Sequence, residues 1–327
     1  MRLFQSVGSI QFWHLAWLAA VIPVQAQVNA PSYPVREIRS ICQSAPGSGA
    51  DILIRHYSEQ LSKRLGKPVV VENMPGAQGK IATSAAARAK PDGYTILITP
   101  ASASLAASKH IFKDLGYDPD KDFTPVATIV QHGVAIAVSP KLGVQSMAEL
   151  TQHLKNKAGN GAYGSSSNTS IAAAELYKEK TGLQTTQVRY KDANTMMIDL
   201  LRGDLDWISS DIGFLASRAN SLKILALTSS TRTPWMPDLP TMGEVGLAGM
   251  DVPSWWGVVV PAGTPKPIVD KLTQLFNEIS NSDETKKFLK GLAIDPMPGT
   301  GEQMTAMLKR DSERWARLVQ LAKIDKE

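Results

Sequence analysis

The sequence contains a single cysteine, no dense run of basic residues and, after its N-terminal segment, no long apolar run. Cys42 is the only cysteine among 327 residues, so the chain can form neither an intrachain disulfide nor a thiolate metal cluster. We expect its thiol to be buried and unreactive. The net charge of +5 is thinly spread, whereas a nucleic-acid-binding protein concentrates Lys and Arg beside aromatic side chains. These absences indicate a protein that is stabilised by its hydrophobic core.

The sequence also lacks the motifs of nucleotide binding and of common catalytic sites. Ile52 follows the Gly47-Ser48-Gly49 turn where a dinucleotide fingerprint has glycine, and the turn lacks the lysine of a P-loop. The chain has no G-x-S-x-G elbow for a serine nucleophile. The histidines at 56, 110, 132 and 153 do not have metal-ligand spacing. We therefore expect no catalytic residue, no metal site and no cofactor, and we predict that the protein is not an enzyme.

The first 26 residues have the features of a secretory signal peptide. Arg2 supplies a positive n-region, residues 12–24 are mostly apolar, and Val24-Gln25-Ala26 is a small-x-small cleavage site. The alternative is a membrane anchor, but the apolar run is too short for a comfortable span. We therefore predict an exported protein from which residues 1–26 are cleaved.

From residue 35 onwards the apolar pattern alternates between strand and helix. Such alternation predicts α/β architecture with parallel or mixed sheets flanked by helices, and the length suits two domains. Ligands of these sheets bind beyond the carboxyl ends of the strands. The loops at those ends are rich in Gly, Ser, Asn and Thr, so we expect the binding site there.

A glycine-rich loop at residues 42–51 lies between the first strand and the first helix. Apolar residues from Ile52 onwards recur at the helix period, and Asp51 is well placed to cap that helix. Free backbone N–H groups and the positive end of the helix dipole would then point into the turn. Ser44 and Ser48 add hydroxyl groups. We predict that this loop binds a carboxylate without reacting with it, although a plain tight turn is the simpler interpretation.

Residues 165–170 form a second polar loop, again between a strand and a helix. Six small hydroxyl or amide side chains offer donors beside a helix N-terminus, which favours a second anion-binding segment. A solvated loop capped by Thr169 or Ser170 would have the same composition. A serine hydrolase that uses Ser165 or Ser166 is a weaker alternative, because it would also need a base.

Two further positions follow strands in the pattern. Asp211 comes directly after a strand, where it either faces a ligand or caps the next helix. Lys191 is a possible partner for a second carboxylate. Trp255 and Trp256 are neighbours on a strand, so their rings are expected on opposite sides, one in the core and one on a wall of the cleft.

Several motifs in one order make the chain similar to the Bug-type substrate-binding proteins of tripartite tricarboxylate transporters. The similarity spans residue 33 to the C-terminal helix. Its motifs are Pro46-Gly47-Ser48-Gly49-Ala50-Asp51, residues 68–73 with Pro75-Gly76-Ala77, Ala89-Lys90-Pro91-Asp92-Gly93-Tyr94, Tyr117-Asp118-Pro119 with Lys121-Asp122-Phe123, Tyr190-Lys191, Asp199-Leu200-Leu201-Arg202-Gly203-Asp204 and Pro261-Ala262-Gly263-Thr264-Pro265.

The resemblance implies a periplasmic, two-lobed type-II binding-protein fold whose chain crosses twice between the lobes. We expect one lobe at residues 33–132 plus 254–327 and the other at 133–253, with hinge closure on the ligand. It also implies a monomer that holds a small organic carboxylate between the two polar loops and passes it to the membrane subunits of a secondary transporter. A receptor that feeds a signalling protein is the alternative.

The substrate-binding residues expected from the loops and the resemblance come from both lobes. They are Ser44, Gly47, Ser48, Gly49, Ala50, Asp51, Gln78, Ser102, Ser165, Ser166, Asn168, Thr169, Ser170 and Asp211.

Overall fold

The computed structural model describes residues 33–157, 161–190, 192–252, 254–324 and 326. The predicted signal peptide, residues 1–26, and Lys191 lie outside the described residues. All elements named below belong to the compact unit Pro34–Glu327. None of the helices in the described ranges is both long and apolar enough to span a bilayer.

Strands and helices alternate along most of the described chain, as the apolar pattern predicts. The strands are β1 Ile38–Cys42, β2 Val69–Asn73, β3 Thr95–Thr99, β4 Phe123–Gln131, β5 Val134–Val138, β6 Ala162–Ser165, β7 Thr186–Arg189, β8 Trp207–Asp211, β9 Lys223–Leu227, β10 Trp255–Pro261 and β11 Asp295–Thr300. The helices are α1 Gly49–Leu65, α2 Lys80–Ala87, α3 Ser108–Ile111, α4 Met147–Asn156, α5 Asn168–Thr181, α6 Ala193–Arg202, α7 Ile212–Ala216, α8 Lys266–Asn281, α9 Asp283–Gly291 and α10 Gly301–Leu321.

The strands form two mixed sheets, which confirms the predicted fold class. The first sheet has the order β11-β4-β10-β3-β1-β2, and the second has the order β7-β6-β8-β5-β9. In the first sheet β1 is parallel to β2 and β3, and β10 is antiparallel to β3 and β4. In the second sheet β6 is parallel to β7 and β8, and β5 is antiparallel to β8 and β9. The chain passes between the sheets after β4 and again after β9.

Side-chain caps set where the helices begin. Asp51 was expected to cap α1, but the cap is Ser48, whose hydroxyl accepts a hydrogen bond from the Asp51 backbone N–H at 3.2 Å. The S-x-x-E pattern at Ser146 and Glu149 predicts a capping box, but only one of its two bonds is present at the start of α4: the Ser146 hydroxyl accepts from the Glu149 backbone N–H at 3.2 Å, while the Glu149 carboxylate accepts from the backbone N–H of Gln145 at 2.9 Å. For α5 the cap is Ser167, one of the small polar residues of the second loop, and not Thr169 or Ser170.

The sequence pattern missed one edge strand, β11, because two prolines and a glycine interrupt it. It pairs with β4 through an irregular register between Pro296 and Gly299, which leaves a proline at an edge where no ladder donor is needed.

A large apolar cluster connects the second sheet with helices that belong to the first predicted lobe. Tyr163, Tyr177 and Trp207 from the second sheet and its helices pack in the same cluster as Ile111 and Trp315. These side chains are at most 4% exposed. The cluster therefore crosses the division predicted between the lobes, and it forms one wall of the space between the two sheets.

Candidate functional site

A cavity of about 690 Å³ lies between the carboxyl ends of β1 and β3 in the first sheet and those of β6 and β7 in the second. This is the position that the α/β sheet topology predicts for a ligand. The described residues that line it are Gln43, Gln78, Ala103, Ser104, Ile111, Phe112, Ser166, Ser167, Asn168, Thr169, Arg189, Tyr190 and Trp315.

The N-terminus of α5 forms the wall of the cavity that belongs to the second sheet. Ser167 caps the helix and accepts a hydrogen bond from the Ser170 backbone N–H at 3.2 Å. The backbone N–H groups of Asn168 and Thr169 lie in the first turn, where an α-helix offers no internal acceptor. These donors and the positive end of a 14-residue helix favour an anion in the cavity.

Arg189 brings a full positive charge to the same wall. It is the last residue of β7, its side chain is exposed, and its guanidinium donates to Asn168 Oδ1 at 2.9 Å. Asn168 Nδ2 in turn donates to Gln78 Oε1 across the cavity at 3.1 Å. A chain of three polar side chains therefore connects the two walls, with the guanidinium at one end.

Gln43 anchors the opposite wall. Its Oε1 accepts hydrogen bonds from the hydroxyls of Thr99 and Ser104, both at 2.8 Å. The side chain lies against Gly79, which has a φ of +90° and where an added Cβ would be 2.6 Å from Gln43 Oε1. Glycine is therefore needed at 79 both for its backbone conformation and for the close approach of Gln43.

Apolar side chains complete the lining. Ile111 and Phe112 follow the π-helical turn Ser102–Ala107, and Trp315 comes from α10. Such π-helical turns are rare and occur often at functional sites. Tyr190 adds a ring whose hydroxyl donates to Asp199 at 2.7 Å. Burial, followed by this hydrogen bond, raises the pKa of Tyr190 to about 12, so the tyrosine is neutral at physiological pH.

The structure brings four of the expected site residues to this cavity. Gln78, Ser166, Asn168 and Thr169 line it. The remaining members of the second loop, Ser165 and Ser170, lie below the surface of the protein, and the described residues provide no hydrogen-bond partner for Ser165 Oγ. The expected residues that are not among the described lining residues are Ser44, Gly47, Ser48, Gly49, Ala50, Asp51, Ser102, Ser165, Ser170 and Asp211.

The carboxylate of Asp51 is engaged within the first loop. It accepts hydrogen bonds from Gly47 N at 2.8 Å, Arg55 Nε at 2.8 Å and Asn73 Nδ2 at 2.7 Å. Arg55 contributes most to lowering the pKa of Asp51 to about 2. Asn73 also donates to the carbonyl of Ser44 at 2.9 Å. The structural role of Asp51 is therefore to hold the loop beside Gln43 against the end of β2.

Asp211 and Ser102 each contact a residue at a crossing between the sheets. Asp211 caps α7 and pairs with the imidazole of His132, which follows β4. Burial alone lowers the pKa of His132, but the Asp211 carboxylate outweighs it and raises that pKa above its ordinary value. Ser102 is buried and donates to the carbonyl of Trp255 at 3.4 Å. Trp255 and Trp256 are both buried, at 2% and 8% exposure.

Two important lining residues were missed by sequence reasoning. Gln43 stands next to Ser44 in the first loop, but an amide side chain there does not differ in pattern from a solvated one. Arg189 ends a four-residue edge strand and immediately precedes the Tyr190-Lys191 motif. A cation at the carboxyl end of a strand was the available signal.

Two mixed sheets with a polar cavity between their strand ends define a two-lobed binding protein. Residues 53–324 match the description "Tripartite tricarboxylate transporter family receptor". The chain belongs to this family of periplasmic solute-binding proteins, as its motifs predicted. It is 30% identical over 307 residues to protein BugT of Bordetella pertussis, covering 92% of this chain and 93% of BugT.

Three solved structures resemble the chain over most of its length. The R. palustris protein Rpa4515 with adipate has a TM-score of 0.77 and 29% identity, covering 90% of this chain and 100% of that one. Periplasmic binding protein BugD has a TM-score of 0.73 and 31% identity, with coverage of 90% and 100%. MatC from Rhodopseudomonas palustris with bound malate has a TM-score of 0.72 and 28% identity, with coverage of 88% and 100%.

Proposed function

We propose that the protein is a periplasmic receptor that binds a small organic carboxylate between its two sheets and delivers it to the membrane subunits of a tripartite tricarboxylate-type transporter. One observation carries this proposal. The guanidinium of Arg189 and the first-turn N–H groups of α5 line the same cavity, where Asn168 bonds to Gln78 on the other wall. Related proteins with adipate and with malate support the choice of ligand class.

The arrangement suits binding more than chemistry. A carboxylate accepts hydrogen bonds from a guanidinium fork and from helix N-terminal amides without a change in its covalent structure. A hydrolase would need a base beside Ser165 or Ser166. None of the described lining residues is His, Asp, Glu or Lys.

Substitution of Arg189 tests the binding site. We expect Arg189→Gln to weaken carboxylate binding by about tenfold or more, because a hydrogen bond to an ionised group contributes on the order of 1.5–3 kcal/mol. The ligand is first identified by a thermal-shift screen of mono- and dicarboxylates, and its affinity is then measured by calorimetry.

Arg202→Gln is the matched control. Its side chain is 70% exposed at the end of α6 and is not among the described lining residues. We expect this variant to bind like the wild type. Equal affinities of Arg189→Gln and the wild type would contradict the proposed site, and binding by no acid in the screen would contradict the proposed function.

Delivery to a transporter is tested in cells. Deletion of the gene should abolish uptake of the identified acid and leave transcriptional responses to that acid intact. The reverse pattern would identify the alternative, a receptor that serves a signalling protein.

A further inference from the structure

The side chain of Gln43 is held in one orientation on the wall of the cavity that belongs to the first sheet. Its Oε1 accepts hydrogen bonds from the hydroxyls of Thr99 and Ser104, both at 2.8 Å. Each hydroxyl has one proton to donate, and an amide oxygen has two lone pairs. These two bonds therefore use the whole accepting capacity of Oε1, and they turn the Nε2 side of the amide away from both hydroxyls.

The two residues that donate to Gln43 are themselves fixed by the fold. Thr99 is fully buried at the end of β3, and Ser104 is buried within the π-helical turn. The hydroxyl of Tyr117 donates to the carbonyl of Ser104 at 2.8 Å, which connects this turn to the segment that leads into β4. The amide of Gln43 also lies against the buried Gly79. The orientation of Gln43 is thus set by its buried neighbours.

The Nε2 amide group of Gln43 is the donor that remains for the cavity. The side chain lines the cavity, and none of the described residues accepts a hydrogen bond from Nε2. The chain of bonded side chains that begins at Arg189 and passes through Asn168 ends at Gln78, next to Gly79 and Gln43. A ligand that extends along this chain from a carboxylate at Arg189 would therefore reach Gln43.

We propose that Gln43 is a specificity-determining residue, whose Nε2 donates a hydrogen bond to an oxygen acceptor on the part of the ligand remote from its carboxylate. This inference rests on the proposed function and narrows the substrate class to acids that carry a further oxygen, such as a ketone carbonyl. A plain fatty acid would cover Nε2 with methylene groups, and a buried donor without an acceptor weakens binding.

Pairs of acids that differ by one ketone oxygen test the substrate class. A ketone only accepts hydrogen bonds, so it responds to Nε2 and not to an amide oxygen. We expect calorimetry on the mature protein to show tighter binding of 4-oxopentanoate than of pentanoate, or of 5-oxohexanoate than of hexanoate, by about three- to tenfold. No preference for the oxo acid in either pair, or binding of none of the four when another acid of the screen binds, would overturn the inference and leave the proposed function standing. Binding of no acid at all would overturn both.

Two variants of Gln43 locate the preference. Gln43→Glu keeps the shape of the side chain and an oxygen for the two hydroxyls but replaces the Nε2 donor by an oxygen, and Gln43→Met removes the donor without adding charge. We expect both variants to lose the preference for the oxo acid, whereas a purely structural role would weaken the two acids of a pair alike.

Gln152→Glu is the matched control for the change of charge. Gln152 is exposed on α4, donates to Asn156 and is not among the described lining residues, so this variant should keep the wild-type preference. A preference retained in Gln43→Glu would overturn the inference. If Gln43→Glu does not fold, a preference retained in Gln43→Met would overturn it as well.

Discussion

Asp51 stabilises the loop between β1 and α1, and its removal should cost a large part of the stability of the protein. The side chain is 3% exposed and accepts three hydrogen bonds, one each from Gly47 N, Arg55 and Asn73. Asp51→Ala leaves the Gly47 N–H and the Asn73 amide without an acceptor. It also breaks the ion pair with Arg55.

The magnitude follows from these contacts. The bonds from Gly47 and Asn73 to an ionised acceptor contribute about 1.5 kcal/mol each at the low end of their range. Since the Arg55 side chain is 50% exposed, its ion pair adds only about 0.5–1 kcal/mol. We therefore expect Asp51→Ala to lower the free energy of unfolding by about 3.5–4 kcal/mol.

The pH dependence gives a second measure of the same contacts. Because the folded pKa of Asp51 is lowered to about 2, its contribution is present above the unfolded pKa of about 3.9 and is lost as the pH falls through about 2. The linked stability is on the order of 2 kcal/mol once solvent screening at Arg55 is allowed for. The difference between wild type and Asp51→Ala should therefore shrink between about pH 4 and pH 2.

Urea denaturation followed by circular dichroism measures both effects. Asp120→Ala is the matched control, since Asp120 also pairs with a cation, Lys109, at 2.9 Å, but is 66% exposed. We expect this control to lose less than about 1 kcal/mol. A loss below about 1 kcal/mol in Asp51→Ala, or a difference from wild type that does not change on acidification, would refute the reasoning.

Two further substitutions test the connections between the sheets. In the wild type the charged His132–Asp211 pair contributes stability that is lost as the pH rises through the folded pKa of His132, which is raised above its ordinary value of about 6.5. The urea stability of His132→Gln should therefore fall less steeply with pH on the alkaline side than that of the wild type. An equally steep fall in both proteins would contradict this. Gly213→Ala should lower the free energy of unfolding by about 1–3 kcal/mol, because its Cβ would lie 2.7 Å from the carbonyl oxygen of Leu292. The Cβ of Gly291→Ala meets nothing within 4 Å, so this control should be neutral or stabilising. Similar melting temperatures for the two variants would contradict the packing argument.

The spacing of apolar residues along the chain and the residue types at turns and helix starts were enough to predict most of the fold. The continuous apolar run at β5 and the capping residue Ser146 at α4 are local signals, and the structure has both elements. The missed strand β11 has no such signal. Its pairing with β4 is decided by a partner more than 160 residues away, with Asp295 opposite Gln131. Local propensity is a weak guide where pairing depends on tertiary context.

The candidate site could be predicted in part, and the two polar loops show why. Both follow a strand and begin a helix, so their patterns are equivalent in sequence. In the second loop the donors of Asn168 and Thr169 reach the cavity. In the first, Asn73 from the end of β2 engages the Asp51 carboxylate and the Ser44 carbonyl. A contact between residues 22 positions apart is invisible to a local pattern.

The contacts on the two sides of the cavity differ in strength, and we expect the cavity to open on the side with the weaker contact. On one side, Asn168 and Gln78 share a solvent-exposed hydrogen bond, which contributes about 1 kcal/mol at most. On the other, Ile111 and Trp315 are buried in the core of the second sheet, and full burial of one such side chain is worth about 1.5–3 kcal/mol. The Gln78–Asn168 contact therefore breaks first. In the proposed complex an acid enters there, and its carboxylate comes to rest beside Arg189, whose guanidinium donates to Asn168 in the same contact.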